Sequence, residues 1–218
     1  MNVKRQLLIF TRYPEPGKTK TRMIPALGEK GAAELHRLLA EHAIRTVKDC
    51  LDFLSPVIYY RGGTEEKIRS WLGDRFSYRS QRGSDLGEIM RNAFEEGFAT
   101  GAGEIVAIGT DCPDLTPPLL QEAFDRLRGR DLVLGPAGDG GYYLIGLKRV
   151  YPELFESIDW GTATVLATTK EKATRLGLSV AYLAELNDID RPEDLPEIDR
   201  FPDLRLHDYR GSHLDEIE

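Results

Sequence analysis

Short apolar segments rich in β-branched residues recur along the chain, and helical patterns separate them. Because a helix between two strands returns the chain to the same end of a sheet, this alternation predicts mainly parallel strands covered by helices on both faces. The strongest helical pattern spans residues 29–54, where apolar side chains recur every three or four positions and form one stripe. We predict strands at residues 6–11, 56–61, 76–81, 104–109, 131–135 and 179–183, a further strand at 142–147 outside the simple order, and shorter helices at 65–72, 86–98, 117–127 and 163–176.

Composition limits the class of protein. The 218 residues fit one α/β domain, predicted at residues 1–198, and the polar residues 199–218 form a tail that wraps the domain, frays, or meets a second subunit in a homodimer. A net charge of -7 argues against a nucleic-acid polymer as partner. The chain has no apolar run of about 20 residues and too few cysteines for a disulfide framework. We therefore expect a cytoplasmic protein without a membrane span.

A basic loop follows the first predicted strand. It holds the cations Arg12, Lys18, Lys20 and Arg22 together with Gly17. Backbone N–H groups and cationic side chains of such a loop can wrap a polyphosphate, although a solvated basic turn explains the composition equally well. The loop is not a P-loop, because an arginine stands where the first glycine of that motif would lie.

Aspartates follow three later strands, at the edge where open parallel sheets bind ligands. Asp111 offers a hard oxygen ligand for Mg²⁺, or it forms an Asx-turn before the following proline. Asp190 offers a second carboxylate, or it caps a helix that begins with proline. Asp139, with Gly140 and Gly141, could bind a hydroxylated substrate, and a tight turn explains the same glycines.

The order of these motifs resembles one bacterial family. The matching segments are residues 10–17 leading to 20–22, then 81–94, 109–115, 135–147, 160–162 and 188–195, within a resemblance that covers residues 7–195. The family consists of GT-A-like proteins described as glycosyltransferases or nucleotide-diphospho-sugar transferases, the domain-of-unknown-function group 2064. The resemblance implies an α/β fold, namely a GT-A-like three-layer αβα sandwich with a mixed, mainly parallel sheet.

The resemblance also implies residue roles. Asp111 resembles the metal-binding aspartate after the fourth strand, and Asp190 resembles the second ligand of Mg²⁺ or Mn²⁺. Lys20 and Arg22 resemble the cations that grip the phosphates of the nucleotide, so that Lys20, Arg22 and Asp111 are the catalytic candidates.

A loop after the third strand lies near the base and ribose in such folds. One departure follows it, because Ile89 stands where the family usually has an arginine, and the charge of that arginine is missing. The expected nucleotide-binding set is Arg12, Gly17, Lys18, Lys20, Arg22, Gln81, Gly83 and Asp85, with Asp139, Gly140 and Gly141 expected to bind substrate.

Three functions are consistent with these features. The first is metal-dependent nucleotidyl transfer to a small phosphorylated acceptor, slightly favoured because a basic loop suits a triphosphate donor. The second is glycosyl transfer from a nucleotide sugar to a small-molecule acceptor. The third is nucleotide binding without catalysis, which the missing arginine at Ile89 encourages.

Overall fold

The structure, a computed structural model, describes residues 3–206 and contains one mixed sheet of seven strands. The spatial order is β3-β2-β1-β4-β6-β5-β7. Every described pairing is parallel except those of β6, which runs antiparallel between β4 and β5. The strands are β1 (Arg5–Arg12), β2 (Ser55–Arg61), β3 (Ser77–Ser80), β4 (Glu104–Ile108), β5 (Leu132–Pro136), β6 (Tyr142–Leu147) and β7 (Val180–Tyr182).

Five α-helices cover the two faces of this sheet. Alternate residues of β1 point to opposite faces, so Leu7 and Ile9 pack in one apolar cluster and Leu8 packs in another. Helices α1, α2 and α4 cover the first face, and α3 and α5 cover the second. The expected αβα sandwich is confirmed. The helices are α1 (Ile24–Lys48), α2 (Glu65–Leu72), α3 (Leu86–Ala99), α4 (Pro117–Arg128) and α5 (Val165–Arg175).

The longest helix differs from its prediction at both ends. Helical structure begins at Ile24, but Gly28 has a φ of 67° and interrupts it, so the regular part starts near the predicted position. The helix ends at Lys48, and the prediction that it continues to residue 54 is wrong. The apolar pattern misled because Cys50 and Leu54 remain buried in the same core while forming a turn, in which Leu54 N donates to Cys50 O at 3.2 Å.

The chain after β7 packs against α1. Two 3₁₀ helices, Pro192–Arg200 and Pro202–Leu204, place Ile198 and Leu204 in a third apolar cluster with leucines of α1. The first part of the predicted polar tail therefore covers the domain, and residues 207–218 lie outside the described residues. Over residues 3–206, none of the helices has the length and apolar character needed to span a membrane.

The strand order brings several loops to one edge of the sheet. The chain leaves β1, β2, β4 and β5 at their carboxyl ends, and the antiparallel β6 enters at the same edge, because Leu144 near its start pairs with Ile108 at the end of β4. Neighbours β1 and β4 carry crossovers that leave in different directions, which is the point where open α/β sheets bind ligands. We refer to this side of the sheet as the carboxyl edge.

Candidate functional site

A buried lysine joins three loops at the carboxyl edge. Lys20 Nζ lies 2.9 Å from Asp111 Oδ1 and 3.3 Å from Asp190 Oδ1, and it donates to Ile189 O at 2.5 Å. Its side chain is 3% exposed. Lys20 itself adopts a left-handed backbone conformation, with φ of 48°, directly before a 3₁₀ turn at Thr21–Met23. The loops after β1, β4 and β7 are thus held together by one ammonium group.

The charges of Lys20, Asp111 and Asp190 stabilise one another. Burial by itself lowers the pKa of Lys20, but the carboxylates of Asp111 and Asp190 outweigh burial and raise the pKa above its ordinary value. Burial likewise raises the pKa of Asp111, and the nearby charge of Lys20 outweighs it, so that the pKa lies below its usual value. Lys20 is therefore a fixed positive charge at neutral pH and not a proton acceptor.

Arg22 pairs with the second aspartate. Its Nη1 lies 2.5 Å from Asp190 Oδ2, so both carboxylate oxygens of Asp190 contact a cation. The N-cap interpretation of Asp190 is wrong by one residue, because the N-cap of the following 3₁₀ helix is Arg191. The side chain of Asp194 accepts from Asp190 N at 2.9 Å and from Arg191 N at 2.7 Å.

The structure brings Asp111 and Asp190 together, with Lys20 between them. Within residues 3–206, no group of three or more histidine, cysteine, aspartate and glutamate side chains could hold a metal ion. Asp111 Oδ1 is buried and accepts no hydrogen bond of good geometry from the described residues, although it contacts the ammonium of Lys20.

A basic cleft of about 610 Å³ opens over the ends of β1 and β2. Arg12 and Arg61 are cross-strand neighbours there, and neither forms an ion pair with a carboxylate of the described residues. The neutral ring of His36 supports this end of β1, since Nε2 donates to Arg12 O at 3.0 Å and burial lowers the His36 pKa. The charged residues that line the basic cleft are Arg12, Lys18, Lys20, Arg22, Arg61, Asp111 and Asp190.

A second cavity, the aromatic chamber, lies over the ends of β4, β5 and β6 and has a volume of about 280 Å³. Asp111 lines both cavities and marks their boundary. The rings of Tyr142 and Trp160 meet edge to face, with centroids 6.4 Å apart. The lining of the chamber also includes the carboxylates of Asp139 and Asp188 and the apolar side chains of Phe10, Leu86, Met90, Ile108, Leu115, Tyr143, Ile145 and Val165.

The loop expected near the base and ribose contributes one residue to the basic cleft. Gln81 lines the cleft, and its Nε2 donates to Thr11 O and Tyr59 O at 3.0 Å, which ties the ends of β1 and β2. Gly83 and Asp85 do not line it. Asp85 is instead the N-cap of α3 and accepts from Glu88 N at 2.8 Å.

The glycines expected beside the phosphates or the substrate have structural roles. Gly17 has a φ of 76° and does not line the basic cleft. Gly140 has a φ of 87°, and a Cβ there would lie 2.7 Å from Ala163 Cα. Asp139 Oδ1 accepts from Gly141 N at 2.8 Å, and both residues line the aromatic chamber. The turn interpretation and the binding interpretation of this loop are thus compatible.

Two charged residues of the site were not predicted from the sequence. Arg61 ends β2, and the rule that singled out the ends of the other strands would have found it. Asp188 lies two residues before Asp190 and lines the aromatic chamber. Burial, followed by the charge of Asp139, raises the pKa of Asp188 to about 6.

The chain is thus an α/β protein with an αβα sandwich that gathers cations and carboxylates at the carboxyl edge of its sheet. The sequence profile of one family, described as an uncharacterized protein conserved in bacteria (DUF2064), matches residues 46–162. The chain belongs to this family, and the expected resemblance is confirmed.

Solved structures agree with this assignment. A protein from Desulfovibrio desulfuricans G20, described as a candidate nucleotide-diphospho-sugar transferase, is 35% identical, with a TM-score of 0.85 over 97% of this chain and 92% of that chain. The expected enzyme class, a transferase, is confirmed at this level. No curated protein matches the chain.

More distant structures share the fold alone. CMP:2-keto-3-deoxy-manno-octonic acid synthetase complexed with CTP is 10% identical, with a TM-score of 0.55 over 89% of this chain and 96% of that chain. Glucosyl-3-phosphoglycerate synthase from Mycobacterium tuberculosis, in complex with Mn²⁺, UDP and glucosyl-3-phosphoglycerate, is 14% identical, with a TM-score of 0.56 over 90% of this chain and 75% of that chain.

Proposed function

We propose that the protein is a nucleotidyltransferase that binds the phosphates of a nucleoside triphosphate in the basic cleft and transfers the nucleotidyl group to a small acceptor in the aromatic chamber. The observation that carries this proposal is the position of Asp111, which lines both cavities. A group bound in the cleft and a group bound in the chamber would meet beside this carboxylate and the ammonium of Lys20.

The free cations of the cleft suit a polyphosphate. Arg12 and Arg61 are exposed side by side at adjacent strand ends, and the planar guanidinium fork matches phosphate oxygens. Lys18 is paired with Glu15 at 2.9 Å, but it is 70% exposed and can exchange this partner for phosphate. Lys20 contributes its charge from a fixed, buried position. We assign Arg12 and Arg61 the main contacts to the outer phosphates.

Asp111 and Asp188 are the residues that would hold a divalent cation. Asp111 fits this role because Lys20 contacts its Oδ1, and within residues 3–206 its other carboxylate oxygen forms no ion pair. Asp190, the second ligand expected from the sequence, contacts cations through both oxygens, whereas no described side chain donates a hydrogen bond to Asp188. When bound, Mg²⁺ or Mn²⁺ would neutralise charge on the phosphates of the donor.

The proposed reaction uses the residues of both cavities. A hydroxyl group of the acceptor attacks the α-phosphorus in line, a new O–P bond forms, the bond to the β-phosphate breaks, and pyrophosphate and a proton are released. Arg12 and Arg61 hold the departing phosphates, and Lys20 stabilises the charge that develops. The aromatic chamber orients the acceptor and limits access of water, which would otherwise compete as a nucleophile.

Glycosyl transfer is the second candidate, and the walls of the chamber favour it. The rings of Tyr142 and Trp160 are suited to pack against the apolar face of a sugar, and Asp139 can accept hydrogen bonds from its hydroxyls. In this arrangement the sugar of a nucleotide-sugar donor occupies the chamber while its diphosphate lies in the cleft.

A calorimetric binding screen separates these candidates. Nucleoside triphosphates and nucleotide sugars are titrated with and without Mg²⁺, and active donors are then followed for pyrophosphate release with a panel of acceptors. Asp111→Asn should abolish Mg²⁺-dependent binding, whereas Glu153→Gln, which alters an exposed carboxylate outside both cavities, should leave it unchanged. Tighter binding of a nucleotide sugar, with nucleoside diphosphate as the product, would replace nucleotidyl transfer by glycosyl transfer.

A further inference from the structure

The charge of the aromatic chamber differs from that of the basic cleft. Three aspartates line the chamber, and within residues 3–206 its lining contains no lysine, arginine or histidine. One of the three, Asp111, shares its charge with Lys20. The other two, Asp139 and Asp188, line the chamber without a paired cation among the described residues, and the charge of Asp139 disfavours the charged form of Asp188.

The shape of the chamber indicates a small ring-sized ligand. Its volume of about 280 Å³ is near the lower limit of roughly 300 Å³ for small-molecule sites. Phe10, Tyr142 and Trp160 supply aromatic surface, and the apolar side chains around them leave the aspartates as the charged groups. A ligand can therefore gain apolar contact with its body and hydrogen bonds from its hydroxyl or amino groups to the carboxylates.

An anion would meet a different environment. A phosphate group in the chamber would face Asp139 and Asp188 without a neighbouring cation in its lining. Repulsion between like charges at partly desolvated positions costs more than in bulk water. A divalent cation held by Asp111 and Asp188 would arrive with a donor that is itself polyanionic, so it would not turn the chamber into a phosphate site.

We propose that the aromatic chamber binds an acceptor that carries hydroxyl groups and no negative charge, and that it excludes phosphorylated acceptors. This inference rests on the proposed function, since it assigns the chamber to the acceptor. It also changes one expectation from the sequence, in which the slightly favoured reaction was nucleotidyl transfer to a phosphorylated acceptor. The basic residues belong to the cleft, on the other side of Asp111.

Three matched phenyl compounds test the proposal on the full chain by saturation-transfer NMR. Phenyl β-glucoside is neutral and hydroxylated, tyramine is cationic and hydroxylated, and phenyl phosphate is anionic. The background carries Arg12→Ala and Arg61→Ala, so that binding of phosphate to the basic cleft is removed. Trp160→Ala, added to this background, identifies the part of each signal that comes from the chamber.

We expect the glucoside and tyramine to bind in a Trp160-dependent manner at least about tenfold more tightly than phenyl phosphate. Asp139→Asn should reduce this difference in affinity, because the asparagine still accepts the hydrogen bond from Gly141 N but carries no charge. Glu153→Gln should leave the difference in affinity unchanged. Trp160-dependent binding of phenyl phosphate as tight as that of the glucoside, or the absence of such binding by all three compounds, would overturn the proposal.

The result is independent of donor binding. If the wild-type chain binds no nucleoside triphosphate but the three compounds rank as expected, the assignment of the donor fails and the charge preference of the chamber stands. If triphosphates bind and phenyl phosphate ranks first, the charge preference fails and the assignment of the basic cleft stands.

Discussion

The basic cleft and the aromatic chamber share the side chain of Asp111, yet their walls differ in charge and in polarity. The cleft is lined by five cations and two aspartates, whereas the chamber is lined by three aspartates and several aromatic rings. Both cavities lie at the carboxyl edge of one sheet, so the difference comes from the loops and from strand direction. Two chemically distinct groups can therefore be held next to each other and still be told apart by charge.

Strand direction accounts for much of the contrast. The cleft lies over the parallel strands β1 and β2, whose carboxyl ends present Arg12 and Arg61. The chamber lies over β4, β5 and the antiparallel β6, so that the start of β6 contributes Tyr142 and Tyr143 at the same edge. At this edge a parallel strand ends and a loop follows it, whereas an antiparallel strand begins there. The first residues of β6 therefore line the chamber.

The largest expected effect comes from removing the ammonium group that joins Asp111 to Asp190. Lys20→Met leaves Asp111 and Asp190 facing each other without their shared cation. We expect a loss of about 2–4 kcal/mol in the free energy of unfolding, below the upper limit for breaking a buried pair because both carboxylates are partly exposed. Urea unfolding measures this loss, and pyrophosphate release should fall by at least about a hundredfold.

Lys18→Met is the matched control for this change. It removes an exposed lysine of the same loop, whose ion pair with Glu15 lies at the surface, so stability should change by less than about 0.5 kcal/mol. Equal unfolding free energies for the two variants would show that the Lys20 cluster does not hold the three loops together.

The next effect concerns the cleft alone. Arg12→Ala and Arg61→Ala should each weaken binding of a nucleoside triphosphate by about tenfold to a hundredfold, because each removes charged hydrogen bonds to phosphate. Neither should weaken binding of a neutral acceptor in the chamber. Calorimetric titrations of both ligands measure the two effects, with Arg79→Ala as control, since Arg79 pairs with Glu96 and does not line the cleft. A matching loss of acceptor affinity would contradict the separation of the two cavities.

A smaller effect concerns the loop of the chamber. Gly140→Ala combines an unfavourable positive φ with a close approach to the backbone of Ala163. It should lower the free energy of unfolding by about 1–3 kcal/mol. Gly161→Ala is the control, because Gly161 has a φ of 82° but no atom within 4 Å of the added Cβ. The difference between the two melting temperatures measures the packing of this loop against the turn that precedes α5, and equal values would argue against it.

Much of this arrangement follows from the sequence. The alternating pattern predicted all seven strands to within a few residues, including β6 outside the simple order, because strand periodicity is a local property. The ends of the strands then identified Lys20, Arg22, Asp111 and Asp190 as residues of one edge. The end of α1 was predicted wrongly, because buried turn residues continue its apolar pattern.

The division of the edge into two cavities could not be predicted. The pairing of Lys20 with Asp190 joins residues 170 positions apart, and it depends on how three loops pack. The sequence places Asp188 and Asp190 in one motif, yet Asp190 contacts Lys20 and Arg22 while Asp188 lines the aromatic chamber. Side-chain direction in an irregular loop has no period from which it could be inferred.

The smallest expected effect, the response to salt, sharpens the comparison further because it acts on the two cavities with opposite sign. At physiological ionic strength, exposed charges are screened over about 8 Å, and Arg12, Lys18 and Arg61 are exposed at the mouth of the cleft. Raising the salt concentration should therefore weaken binding of a triphosphate several-fold. It should leave binding of phenyl β-glucoside unchanged and slightly strengthen that of phenyl phosphate in the chamber, because repulsion from Asp139 and Asp188 is screened as well. Calorimetry measures the salt dependence of triphosphate binding to the wild-type chain, and the Trp160-dependent NMR signals measure that of the two phenyl compounds in the Arg12→Ala and Arg61→Ala background. The same double variant should flatten the salt dependence of triphosphate binding. If the Trp160-dependent affinity for phenyl phosphate falls with salt as the triphosphate affinity does, the chamber itself attracts anions, and the distinction between a basic cleft and an anion-excluding chamber is wrong.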